Sequence, residues 1–283
     1  MVGLVTKPVA SAGGRAAGSL HAMARQARQR VPEGPAPEPA VQKLRIRYTK
    51  RGRLRFTSSR DFQRALERAL RRADVPMAFS AGFHPHPRIS YANAASTGTA
   101  SEAEYVEISV THRVDPESVR LALDEALPPG IDIVTVVEAA PGALADRLEA
   151  SDWLLEFGGL DVQTLQGAVD ILLARDTAEV TRMTKSGPRT FDVRGAVVRA
   201  VVRSADEALA ETAAQLEPAH LIPADCAILR MVVRHTTPAV RPDDILTALR
   251  EIAELQPPRP PLVTRLAQGP LDTATARVTD PLS

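Results

Sequence analysis

Apolar and basic residues alternate from Leu44 to Tyr48, the period of a strand with one face covered. Lys50 to Gly52 reads as a turn, and Arg53 to Phe56 as a second strand or the rest of the first. Ser58 and Asp61 have the spacing of a capping box, which predicts a helix over Ser59 to Ala73. Phe62, Leu66, Ala69, Leu70 and Ala73 fall on one face of that helix. Arg60, Arg64, Arg68, Arg71 and Arg72 form a row on another. A loop follows over Ala81 to Ser90, with a further strand expected near Met77 to Phe79 or within the loop. Glu104 to Val110 alternates again as a strand. Asp115-Pro116 opens a helix to about Leu127, Pro128 to Gly130 ends it, and Ile131 to Ala139 is a strand.

The second half runs in a similar order. Asp152 to Gly158 reads as a strand and Val162 to Ala174 as a helix. Two strands flank the hairpin signal Ser186-Gly187-Pro188, and Ala196 to Arg203 and Cys226 to Thr236 are strands. A helix over Pro242 to Leu255, a stiff spacer at 257–261 and a last strand over Leu262 to Gln268 complete it. These orders predict an α+β fold of two tandem ferredoxin-like βαββαβ modules with antiparallel sheets, at 43–140 and 150–268. Residues 1–42, rich in Ala, Gly, Pro and Arg, read as a disordered basic tail and Pro-rich linker. Residues 269–283 read as a disordered tail.

The near-neutral total charge of +1 conceals a strong asymmetry. Lys43 to Arg72 holds twelve Lys and Arg against Asp61 and Glu67, a local charge of +10. Residues 1–42 net +3, so the remainder carries −12. A basic module on an acidic body points to an anionic partner. The single Cys226 excludes an internal disulfide and multi-cysteine clusters, and reads as a core residue. No apolar run approaches the ~20 residues of a membrane span. The expected setting is the cytoplasm, with no membrane contact and no cofactor.

The chemistry concentrates in Lys50, Arg51, Arg53, Arg55, the arginine row, and the loop bearing Phe83, His84, His86 and Arg88. The two His-Pro pairs fix an extended backbone. The loop is open to four readings. As metal ligands the histidines lack a clear third partner beyond Glu102, Glu104 or His112. As acid/base groups they would cleave RNA. As a contact surface, Phe83 and the imidazoles would stack on bases while Arg88 takes a phosphate. As a plain turn they would do nothing chemical. Lys185, Arg189 and Arg194 form a secondary basic hairpin. Walker A, GxGxxG, GxSxG and HExxH motifs are absent.

The run from Arg55 to Ile108, with FTSSRDF, RALERALRRA, GFHPHPR and SEAEY, resembles a radical-SAM-associated domain of unknown function. The basic stretch KSGPRTFDVRG, ending in Asp192 and Arg194, resembles the same family's hairpin. Members are fused to, or encoded beside, radical SAM proteins that often bind cobalamin. The resemblance implies an associated module, because this chain lacks the cysteine triad that would hold the cluster. Ser59 and Arg60 stand where the family more often has His-Leu, and His84 where it has Asn. His86 fits the pattern and is the better choice if either histidine is catalytic.

The expected function is a non-catalytic RNA-binding or adaptor module for an RNA-modifying radical SAM enzyme, acting on tRNA or rRNA. A metal-independent Cas6-like endoribonuclease and a protein–protein scaffold are the alternatives.

Overall fold

The computed structural model of the protein describes residues 37–185, 187–212, 216, 220 and 222–283. Residues 1–36 of the expected tail lie outside the described residues, as does Ser186 of the hairpin turn. The architecture is mixed α+β around a mostly antiparallel sheet.

The first half contains β1 (Gln42–Lys50), α1 (Ser59–Arg72), β2 (Ile89–Ala92), β3 (Ala100–Val110), α2 (Pro116–Ala126) and β4 (Ile133–Glu138). β1 lies between β3 and β4, and β2 pairs with β3, all antiparallel. The second half starts with β5 (Ala150–Gly158), α3 (Val162–Leu173) and the hairpin β6 (Glu179–Thr184)–β7 (Gly187–Asp192). It continues with β8 (Val197–Ser204), α4 (Ala205–Thr212), β9 (Cys226–Arg234), α5 (Pro242–Ala253) and β10 (Leu262–Gly269). Here β5 lies between β10 and β9, and β8 pairs with β9, again antiparallel.

The strands of both halves join in one eight-stranded sheet in the order β4-β1-β3-β10-β5-β9-β8, with β2 beside β3. The join is the parallel pairing of β10 with β3, Thr264 opposite Ala100 and Arg265 opposite Ser101. With β1 along one edge of β3, its other edge is shared: Ala100 and Ser101 serve β10, and Tyr105 to Ile108 serve β2. That sharing explains why β3 starts at Ala100, four residues before the alternation becomes clear in the sequence.

Two large cores form on the helix-covered side. Leu44, Ile46, Val106 and Ile108 pack against Phe62, Leu66 and Leu70 of α1 and Val119 and Leu123 of α2. Trp153, Leu155, Leu229 and Met231 pack against Leu165 and Val169 of α3 and Ile245 and Leu249 of α5. The opposite face is covered by smaller groups. Ala103 and Tyr105 meet Leu144, Leu148 and Leu282, while Leu154, Ile228 and Leu266 meet Ala208, Leu216 and Cys226.

The structure departs from or refines the sequence reading at four points. Gly52–Phe56 is a 3₁₀ turn, not a second strand. Gly52 takes φ +52° there, a conformation that the missing Cβ makes easy. Met77 and Phe79 make only isolated bridges, to Val110 and Pro87, and the extra strand is β2, which begins within the loop at Ile89. The helix α4 has no strong signal in its sequence, ADEALAET. The C-terminal segment, expected to fray, forms a small hairpin from β11 (Leu271–Asp272) and β12 (Arg277–Val278). Thr279 N–H donates to Pro270 O at 2.9 Å, and Arg147 donates to Ser283 O at 2.5 Å.

Candidate nucleic-acid interface

The cap of α1 fixes the direction of the arginine row. Ser58 Oγ accepts from Asp61 N–H at 3.2 Å and donates to the Asp61 carboxylate at 2.7 Å. The apolar face of α1 is buried, with Tyr48 and Phe62 stacked at 4.3 Å between ring centroids. Arg60, Arg64, Arg68, Arg71 and Arg72 are therefore turned outward, and all five are exposed. Successive members at i, i+4 are about 6 Å apart along the axis. Among the described residues, none of the five forms an ion pair, and Arg72 donates to Ala126 O at 3.2 Å. Five like charges on one face gain nothing within the helix.

The histidine loop lies beside this row. Its neck is closed by Ser80 N–H to His86 O at 2.8 Å, His86 N–H to Ser80 Oγ at 3.0 Å and Arg88 N–H to Ala78 O at 2.8 Å. A shallow groove of about 90 Å³ at its base is lined by Glu67, Leu70 and Arg71 of α1 and by Met77, Phe79 and Pro87, which places loop and helix on a common surface. Phe83 is 59% exposed at the tip, and His84, His86 and Arg88 are exposed. Neither imidazole has a side-chain partner among the described residues. Likewise no three His, Cys, Asp or Glu converge there as a metal set.

The strand cations divide differently. Lys50, expected on the binding face, is 7% exposed, and its Nζ donates to Ser96 O at 3.2 Å and Ala95 O at 3.4 Å. Burial lowers its pKa, partly opposed by Glu104. Arg51 is held by Glu102 and, at 2.8 Å, by Asp132. Arg53 is exposed, and half-buried Arg55 lies 4.6 Å over the Phe56 ring. In the second hairpin Lys185 and Arg189 are exposed. Arg194 is not available there, since it donates to Leu173 O at 3.3 Å and Val197 O at 3.2 Å.

Lys50 belongs to a buried polar cluster where the halves meet. Arg265 donates to Glu104 at 3.2 Å and to Asn93 O at 2.7 Å, and its guanidinium lies 4.7 Å over Trp153. Glu104 also accepts from Ala95 N–H at 3.0 Å. Burial pushes the Tyr48 and Tyr91 hydroxyls up, so both stay protonated. Charges this deep need partners. Sequence reasoning weighed Glu104 only as a metal ligand and missed Arg265, although a signal for the pair existed. Glu104 shares strand parity with Val106, Ile108 and Val110, and Arg265 with Val263, so each charge falls on an apolar face.

Residues 43–242 match a family described as uncharacterised proteins conserved in bacteria, DUF2344. The chain belongs to this family. The matched span takes in the arginine row, the histidine loop, Lys50, Glu104 and the β6–β7 hairpin, and ends where α5 begins. DUF2344 carries no assigned activity in its description. A comparison with curated proteins finds no match. Among the described residues no helix is long and apolar enough to cross a membrane.

Proposed function

We propose that the protein is a cytoplasmic, non-catalytic RNA-binding module that presents a structured RNA, a tRNA or an rRNA segment, to an RNA-modifying radical SAM enzyme. The observation that carries the RNA contact is the row Arg60, Arg64, Arg68 and Arg71, exposed and without ion pairs, beside an exposed loop with Phe83, His84, His86 and Arg88. Guanidinium groups spaced along a helix match a phosphate backbone, and the loop supplies flat groups for unstacked bases. The radical SAM partner rests on the sequence resemblance over Arg55 to Ile108. The repeated strand arrangement supports reading the halves as two ferredoxin-like units fused through β3 and β10.

The test is a titration of a tRNA transcript and of a structured rRNA fragment into the full chain at two salt concentrations. Five phosphate contacts, from Arg60, Arg64, Arg68, Arg71 and Arg88, predict a slope of log K against log salt of about −4. Replacing Arg60, Arg64 and Arg68 by Glu should abolish at least half of that slope and weaken binding by about 100-fold or more at low salt. Unchanged affinity in the variant, or no binding by the parent at low salt, rejects the RNA reading. A tagged pull-down that retains a protein partner after nuclease treatment would instead favour the scaffold.

A further inference from the structure

The sheet face opposite α3 and α5 carries a second basic site that the RNA reading does not use. An open cleft of about 540 Å³ is lined by Arg199 of β8, Arg203 at the end of the same strand, Arg230 of β9 and Arg277 of β12, with Asp152 and Glu211. Two of the arginines are neutralised. Arg230 grips the Asp152 carboxylate with contacts of 3.2 and 2.7 Å, and Arg203 donates to Glu211 at 2.9 Å. Arg199 and Arg277 form no ion pair among the described residues; Asp272, opposite Arg277 across the small hairpin, feels its charge but does not line the cleft. The lining groups therefore net +2.

Arg199 adds a second observation. Its Nε–H is buried yet finds no protein acceptor. A buried donor without an acceptor costs about 1–3 kcal/mol, so such a group calls for an explanation. An anion in the cleft would be met by the remaining guanidinium N–H groups of Arg199, which donate to no protein atom among the described residues. The cleft shares Ala267 and Val278 with a neighbouring cavity of about 390 Å³. There the side-chain oxygen of Gln268 is likewise buried without a donor. The two spaces together exceed the room a bare phosphate needs.

We propose that this cleft binds the dianionic phosphate group of a phosphomonoester, with Arg199 and Arg277 as the charge-matching donors and the organic remainder directed into the neighbouring cavity past Ala267 and Val278. Arg230 and Arg203, fixed by their carboxylates, wall the site without being its main anion ligands. A net charge of +2 suits a monoester phosphate better than the single charge of a phosphodiester linkage. A free nucleotide and the terminal phosphate of an RNA present this same chemistry.

Calorimetric titration of the full chain with inorganic phosphate, AMP and adenosine tests the site. AMP should bind, and adenosine should not. Arg199→Gln and Arg277→Gln should each weaken AMP by about tenfold while the melting temperature stays at the parent value. Arg199→Lys keeps the charge but loses the planar guanidinium fork, and should fall between. The variant with Glu at 60, 64 and 68 should bind AMP as the parent does, so failure here and failure of the RNA reading are separable. An oligonucleotide preferred in its 5′-phosphorylated over its 5′-hydroxyl form would identify an RNA end as the source. Equal binding of the two forms, with AMP bound, would identify a free nucleotide. The proposal is overturned if neither phosphate nor AMP binds up to about 10 mM, or if adenosine binds as well as AMP. It also fails if both Gln variants match the parent.

Discussion

The pair that joins the two halves offers the sharpest test of the fold. Glu104 is 1% and Arg265 5% exposed, and their contact is 3.2 Å. Glu104→Ala removes the only acidic partner of Arg265 among the described residues and the acceptor of Ala95 N–H. Arginine cannot escape by losing its proton. It keeps Asn93 O and the Trp153 ring, but its Nε–H already lacks an acceptor. Breaking a buried pair from one side costs about 3–5 kcal/mol, because a charge is left uncompensated. Against the total of roughly 5–15 kcal/mol typical of a folded protein, that is a large fraction. The expected fall in melting temperature is on the order of 10 °C.

Removing both charges should behave differently. Glu104→Gln combined with Arg265→Met removes both charges while keeping an acceptor for Ala95 N–H, and is expected within about 1–2 kcal/mol of the parent. Urea unfolding followed by fluorescence suits the question, because the single tryptophan, Trp153, is the ring that Arg265 covers. A loss under about 1 kcal/mol for Glu104→Ala would show that the pair does not hold the join. A double variant as unstable as the two singles combined would show that packing, not charge, matters there.

Three further outcomes follow from particular groups. Burial lowers the pKa of His235, whose ring is held by Leu148 O at 2.7 Å and Ser151 Oγ at 2.8 Å. As pH falls below about 6.5 the unfolded chain takes up a proton before the folded one does. Stability should then drop by up to about 1.4 kcal/mol per pH unit until the folded-state pKa is reached. His235→Gln should flatten that limb in urea midpoints measured from pH 7 to 5, and an identical profile would refute the assignment. Ser58→Ala should cost about 1 kcal/mol by removing the cap of α1, read from the same urea curves, and no change would mean that Asp61 alone suffices. RNA incubated with the protein should remain intact on a denaturing gel, because His84 and His86 have no orienting partner among the described residues; cleavage abolished by His86→Ala would restore the endoribonuclease reading.

Periodicity found most elements because each strand and helix of the two large cores keeps one apolar face. It failed where structure depends on what lies across space. Arg53 to Phe56 has strand-like residues, but Arg51 is drawn back by Glu102 and Asp132, and its N–H donates to Gly130 O, so the chain turns there. The tail after Gly269 has little apolar content, yet Leu282 packs with Tyr105 and Leu144 in a cluster formed by distant segments. The parity of Glu104 and Arg265 was visible, but a charge at an inward position looks the same in a sequence whether it faces a partner or water. The cleft at Arg199 draws on β8, β9, β5 and β12, which no local pattern brings together.

The same division changes what the basic stretch implies. Along the sequence, Lys43 to Arg72 reads as a uniform patch of twelve cations. In the fold, Arg45 and Lys50 are buried, Arg51 is paired, and Arg47 donates to Glu102 O at 3.0 Å. Lys43 remains exposed but shares Glu107 with Arg45. The strand cations thus serve the sheet, and the helix cations are what an RNA would meet. If all twelve contacted phosphates, the salt slope would be about −8 to −11; the exposed row with Arg88 predicts about −4. A measured slope near the larger value would mean that β1 opens on binding, a change that hydrogen exchange at Leu44 and Ile46 would reveal as lost protection. A slope near −4 with those amides still protected would place the contact on α1 and its loop alone.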